Sequence, residues 1–354
     1  MKNVKNKLFL LIIIFITLFL NSNIVLASPP TLQSNAAILI DYESEIILYG
    51  KNENKRMYPA STTKIVTAIL TLENSNLDNK VIASYDAVMS IPAGYSSANI
   101  QIGEELTVEQ LLQVLLVHSA NDAANILAEY IGGSIDSFVS MMNTKIHELG
   151  LVNTNFTNTY GKHDDNHYTT AYDLAMIMKY CMKNEDFRRI AGSASCAIPT
   201  TNKYGTRLYT STNSLIIPND RNYYKHLTAG KTGFTTQAGD CLVSCSYKDN
   251  LELICVILDG KVVNNVSTRF SETRTLYEYG YLNYSLETLV HKSDVIQNIQ
   301  IDNATNETTS LNLLAESSLE TIVKNYENNI YSPEITLNTN ILAPISEGDI
   351  LRYC

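Results

Sequence analysis

The stretch "YPASTTKIVTAIL", Tyr58 to Leu70, places a lysine three residues after a serine at the head of an otherwise apolar run. Pro59 precedes a serine able to sit at a helix N-terminus, and side chains at i and i+3 share one helix face. Ser61 and Lys64 therefore meet. A serine hydroxyl is a weak nucleophile until a base takes its proton, and a lysine becomes that base when burial or a second cation lowers its pKa. Read alone, S-x-x-K is common by chance, and a plain N-cap at Ser61 is the better explanation of the serine.

Working outward, "AAILIDYESEIILYG" reads as two strands around a turn at Asp41 to Glu45, with β-branched residues on either side. "LTVEQLLQVLLVH", Leu106 to His118, repeats apolar residues at helical spacing, with Thr107 and Gln110 forming a capping box. Further helices are predicted at Asn125 to Tyr130, Ile135 to Glu148 and Thr170 to Lys183. Gly239 to Gly260 reads as a hairpin turning at Lys248-Asp249-Asn250, and "TRFSETRTLYEYGY" as a helix. Strands at both ends with helices between them predict an α+β fold, one antiparallel sheet with a helical cluster packed against it.

Two further tripeptides complete a set. Ser119-Ala120-Asn121 falls in a break between helices, and Lys231-Thr232-Gly233 leads into the strand "CLVSCSY". S-x-x-K with S-D-N and K-T-G is the signature of class A β-lactamases and penicillin-binding proteins. All three occur here in order.

On these motifs the chain resembles the serine-type D-alanyl-D-alanine carboxypeptidases, the low-molecular-mass penicillin-binding proteins. The likeness runs from about Ala36 to Tyr284, and "FTNTYGKHDDNHYTTAYDLAMI", "TNSLI" and "KTGFTTQAGDCLVS" add to it. The resemblance implies a β-lactamase/transpeptidase-like domain at 28–284 and a shortened C-terminal β-domain at 285–354. It implies a hydrolase that removes the terminal D-alanine from peptidoglycan stem pentapeptides, needs no cofactor and is acylated by β-lactam antibiotics. Ser61 would be the nucleophile, Lys64 the general base and Ser119 the proton relay. Asn121, Lys231, Thr232 and Arg269 would bind substrate, and the backbone N–H groups of Ser61 and Phe234 would form the oxyanion hole.

Two rivals share this machinery. A class A β-lactamase activates its deacylating water with a glutamate downstream of the middle motif, and between Phe156 and Leu174 there is none. The middle motif also has alanine where those enzymes usually have aspartate. A non-catalytic penicillin- or peptidoglycan-sensing module would have lost the nucleophile or base, and both are present. An endopeptidase acting on cross-links would use the same site.

Lys2, Lys5 and Lys7, an apolar run at Leu8 to Leu20 and a small-residue site ending at Ala27 read as a signal peptide over residues 1–27. That predicts an exported protein of the cell envelope or a secreted one; an uncleaved anchor is the alternative. The run is shorter than the ~20 residues of a comfortable membrane span. A net charge of −10 argues against electrostatic binding of nucleic acid or an anionic membrane. The six cysteines lack C-x-x-C spacing and read mostly as core residues, disulfides being the alternative in an exported protein; Cys241 and Cys245 share one strand face. His163 and His167 lie in a polar loop without a third ligand, so no metal site is expected, and Asp164-Asp165 reads as a solvated turn. The 22 tyrosines read mainly as packing residues. Beyond Ser285, short strands are expected at Val295 to Ile301, Glu334 to Leu337 and Ile350 to Tyr353, the alternative being a partly disordered tail. No C-terminal membrane helix is evident before Cys354.

Overall fold

The structure is a computed structural model, and it describes residues 28–300 and 310–325. The leader at 1–27 and the strands expected at Glu334 to Leu337 and Ile350 to Tyr353 lie outside these residues. At the centre is a five-stranded antiparallel sheet of β1 (Ala36–Asp41), β2 (Ile47–Lys51), β3 (Leu227–Thr235), β4 (Gly239–Lys248) and β5 (Leu251–Gly260), in the order β2-β1-β5-β4-β3. The first hairpin turns at Asp41, whose carboxylate accepts from the backbone N–H and hydroxyl of Ser44. The second turns at Asp249 and Asn250, both at positive φ, a conformation that asparagine and aspartate tolerate.

Helices α1 (Lys64–Asn74), α2 (Val108–Gln113), α3 (Asn121–Gly132), α4 (Ile135–Glu148), α5 (Ala171–Met182) and α6 (Glu185–Ala191) gather on one face of the sheet. Helix α7 (Thr268–Asn283) covers the other. With both faces covered, the central strands lose the polar alternation of a half-exposed sheet. Ile38, Val243, Ile254 and Val256 point into the large cluster, and Leu39, Leu242, Leu253 and Ile257 point toward Leu276 and Tyr277 of α7. Each such side chain contributes about 1.5–3 kcal/mol on burial. The architecture is the α+β arrangement expected from the chain.

Local details differ. The capping box at Thr107 and Gln110 is present, but its helix ends at Gln113 and a π turn over Val114–His118 follows. Ser119 then takes a left-handed conformation, φ 67°, closing the turn. Asn121 is the first residue of α3, four residues ahead of the predicted start, because Ala120 rather than a later residue supplies the extended entry. Lys231-Thr232-Gly233 leads into β4 as expected, and it also lies inside a strand of its own, β3 at the sheet's edge, paired with Val243, Leu242 and Cys241 of β4. Its small polar residues mask a strand that the sheet itself imposes. Helix α6 was not anticipated, although Asn184 caps it through Phe187 N–H.

The five described cysteines carry free thiols. Cys241 and Cys245 are buried on the helix-cluster face and Cys255 on the other. After α7, β6 (Tyr284–Val290) pairs with β9 (Leu319–Lys324), and β7 (Val295–Gln300) with β8 (Ser310–Leu314), giving the small C-terminal β-region. Among the described residues no helix is long and apolar enough to cross a membrane.

Candidate active site

Ser61 sits in a single 3-10 turn, Ala60–Thr63, that runs into α1. The 3-10 geometry eclipses residues i and i+3, so Lys64 Nζ comes to 2.9 Å from Ser61 Oγ. Ser61 makes no capping bond here. Thr62 and Thr63 anchor the turn instead, their hydroxyls donating to Pro59 O (2.7 Å) and Ala60 O (2.8 Å).

Lys64 is fully buried. Its amine also lies 2.6 Å from Asn121 Oδ1 and 3.0 Å from Tyr160 O. These three partners suit a neutral amine. Such a group has two N–H donors, for the amide and carbonyl oxygens, and one lone pair that can accept from the serine hydroxyl. Burial, and then the charge of Lys231, push the Lys64 pKa well below its usual value, against an opposing pull from Asp122. The Asp122 carboxylate accepts from the Ala98 and Ile100 N–H groups and from the Ser97 hydroxyl, which ties the 97–100 loop to the start of α3.

The opposite wall is β3. A methyl group added to Gly233 would lie 2.9 Å from both Pro59 O and Ser61 N, so only a bare Cα lets the strand come this close to the serine turn. That approach sets Phe234, 61% exposed, at the mouth of the cleft. Lys231 is buried, its Nζ donating to Thr232 O at 2.8 Å. Burial, then Arg269, lower its pKa to about 7. The Thr232 hydroxyl pairs with that of Thr212 at 2.5 Å. Arg269, from the first turn of α7, donates to Gly233 O at 3.0 Å and pairs with Asp240 at 3.1 Å. Burial pulls its pKa down and Asp240 pushes it up, with a net lowering.

The structure therefore gathers Ser61, Lys64, Asn121, Lys231, Thr232, Phe234 and Arg269 around one cleft, with Ser119 at the turn leading into α3. Sequence reasoning missed Tyr160, Thr212 and Asp240, which act through a main-chain oxygen, a hydroxyl and an ion pair. None carries a motif. His167 lies against Thr63 Oγ1 at 2.8 Å, and among the described residues no group of three or more His, Cys, Asp or Glu side chains is placed to hold a metal.

The chain matches the model of the D-alanyl-D-alanine carboxypeptidase family over residues 23–262, and that of the penicillin-binding protein 5 C-terminal domain over 284–352. It is 31% identical over 325 residues to the D-alanyl-D-alanine carboxypeptidase DacF of Bacillus subtilis, covering 90% of this chain and 80% of that protein. Among solved structures, penicillin binding protein 5 from Haemophilus influenzae superposes with a TM-score of 0.75 at 26% identity, covering 92% of each chain. A peptidoglycan synthesis regulatory factor from Streptococcus pneumoniae gives 0.74 at 27% identity, over 92% of this chain and 93% of that one. The fold is thus that of a serine-type carboxypeptidase, a hydrolase. The chain belongs to the D-alanyl-D-alanine carboxypeptidase family, within the low-molecular-mass penicillin-binding proteins.

Proposed function

We propose that this protein removes the terminal D-alanine from peptidoglycan stem pentapeptides through an acyl-enzyme on Ser61. The observation that carries the reading is the 2.9 Å contact between Ser61 Oγ and a buried Lys64 whose environment favours the neutral amine. Lys64 takes the serine proton as Oγ attacks the carbonyl carbon of the penultimate D-alanine. Negative charge develops on the carbonyl oxygen, where the N–H groups of Ser61 and Phe234 receive it. The C–N bond then breaks, the proton passes through Ser119 to the leaving amine, and D-alanine departs. Water attacks the ester, returning the proton to Ser61.

Asn121 holds the substrate backbone on the helical side. Lys231, Thr232 and Arg269 offer cations and a hydroxyl to the substrate's terminal carboxylate on the sheet side. A β-lactam amide in the same place acylates Ser61. The leader at 1–27 exports the protein to the cell envelope or beyond; the catalytic domain spans 28–284 and the β-domain 285–354.

The test compares D-alanine release from a pentapeptide ending in D-Ala-D-Ala by the wild type and by Ser61→Ala. The wild type should release it and the variant should not. Release by Ser61→Ala would overturn the assignment of the nucleophile. Rapid turnover of penicillin without release would favour a β-lactamase.

A further inference from the structure

Ala60, next to the nucleophile, has φ +49°. A non-glycine residue rarely occupies the left-handed region, and such strain persists only where the surroundings over-determine it. Two groups from the 156–168 loop do so. Gly161 presses its bare Cα against the Ala60 carbonyl. The same carbonyl accepts the Thr63 hydroxyl at 2.8 Å, and Thr63 Oγ1 lies 2.8 Å from His167 Nε2.

The proton positions along this chain are fixed by its far end. His167 Nδ1 faces the Thr157 N–H at 3.0 Å and the Asn158 side-chain amide nitrogen at 3.3 Å, both donors, so Nδ1 accepts. The ring proton is then on Nε2. Nε2–H donates to Thr63 Oγ1, which leaves the threonine proton for Ala60 O. His167 is 2% exposed beside the Phe156 ring, and the titratable groups that face it are Asp164 and His163.

We propose that His167, as the Nε2–H tautomer, is a positioning residue for the nucleophile: it aims the Thr63 hydroxyl at Ala60 O and so fixes the Ala60–Ser61 peptide. The N–H of that peptide is one of the two oxyanion donors. The imidazole touches neither substrate nor Ser61 and acts through Thr63. The inference rests on the reading of Ser61 as nucleophile, which Ser61→Ala tests on its own; a Ser61→Ala protein that still formed the adduct would sink that reading whatever the histidine variants did.

The experiment measures the rate constant for acylation by a fluorescent penicillin, and separately its non-covalent affinity, for His167→Leu, Thr63→Val, the double variant and His167→Gln in the full chain. Each of the first two should lose about tenfold or more in rate, as expected for a displaced reacting group, with affinity little changed. The double variant should be no slower than the slower single, because both cut one chain. His167→Gln, whose amide can still donate to Thr63, should recover part of the rate. Losses that multiply in the double variant would overturn the proposal, as would wild-type acylation by either single. Should His167→Leu fail to fold, Thr63→Val alone decides, since it leaves the imidazole in place.

Discussion

Gly161→Ala should separate the geometry of the serine turn from the general stability of the protein. Gly161 has φ +90°, and a methyl group there would lie 1.8 Å from Ala60 O, 2.2 Å from Ala60 C and 2.8 Å from Ser61 N. Reaching ordinary contact requires the loop or the Ala60–Ser61 peptide to retreat by about 1.6 Å. The left-handed backbone costs roughly 1–2 kcal/mol for an alanine, and overpacking adds about 1–3 kcal/mol. A displacement near 1 Å at reacting groups is enough for about a hundredfold loss of rate. Acylation by a fluorescent penicillin should therefore fall at least that far while the protein still melts cooperatively, some degrees lower.

Gly133→Ala is the matched control. It has φ +72° with nothing within 4 Å of the added methyl. It should show the backbone cost alone and acylate normally. If Gly161→Ala also acylated at the wild-type rate, with a melting shift like that of Gly133→Ala, the clamp on the serine turn would be refuted.

Three further outcomes follow from the buried groups. Lys231, with a pKa lowered to about 7, is charged below that pH; KM for a carboxylate-ended peptide should rise as the pH climbs through it, and Lys231→Arg should move the rise upward in a steady-state pH series. His167 has its pKa lowered from 6.5 to about 4, by burial first and then by His163, against Asp164. Between those values the unfolded chain binds a proton that the folded one refuses, so stability falls on acidification by roughly 3 kcal/mol. Denaturant titrations at neutral pH and near pH 4 should show this slope, and His167→Gln should lack that part of it. Tyr277→Phe removes a 2.8 Å bond to Ser244 between two fully buried side chains, and thermal melting should report a loss of about 1–3 kcal/mol.

What the sequence made legible were the features written in local pattern. The hairpin Gly239–Gly260, the helix Ile135–Glu148 and the capping box at Thr107 follow from alternation, periodicity and a cap within a few residues of each other. Ser61 and Lys64 were legible for the same reason, since their contact spans three positions. The contacts that bring Tyr160 to Lys64, His167 to Thr63 and Asp240 to Arg269 span 96, 104 and 29 positions. No periodicity encodes them; they exist because the helical cluster and the edge of the sheet close on Ala60–Thr63. The placement of Lys231 inside a strand is similar. Gly230 to Gly233 has weak strand preference, and the pairing with β4 overrides it.

The fate of the lysines shows how one residue type is made to favour its neutral form in one place and its charged form in another. Lys145 hydrogen-bonds Glu73 and Tyr180; burial pulls its pKa down, but these partners more than offset it, and the net shift is upward. Lys64 and Lys231 are buried more deeply, and among the described residues neither pairs with a carboxylate within 4.0 Å. Their amines meet only neutral oxygens, from Asn121, Tyr160, Ser61 and Thr232. Neutral acceptors solvate an ammonium less well than water does, and the pull of Asp122 on Lys64 offsets only part of the desolvation of its charge. The cations then act on one another in sequence, Arg269 on Lys231 and Lys231 on Lys64. A carboxylate placed beside Lys64 would hold the proton on its amine, and the general-base role proposed for Lys64 would then be lost.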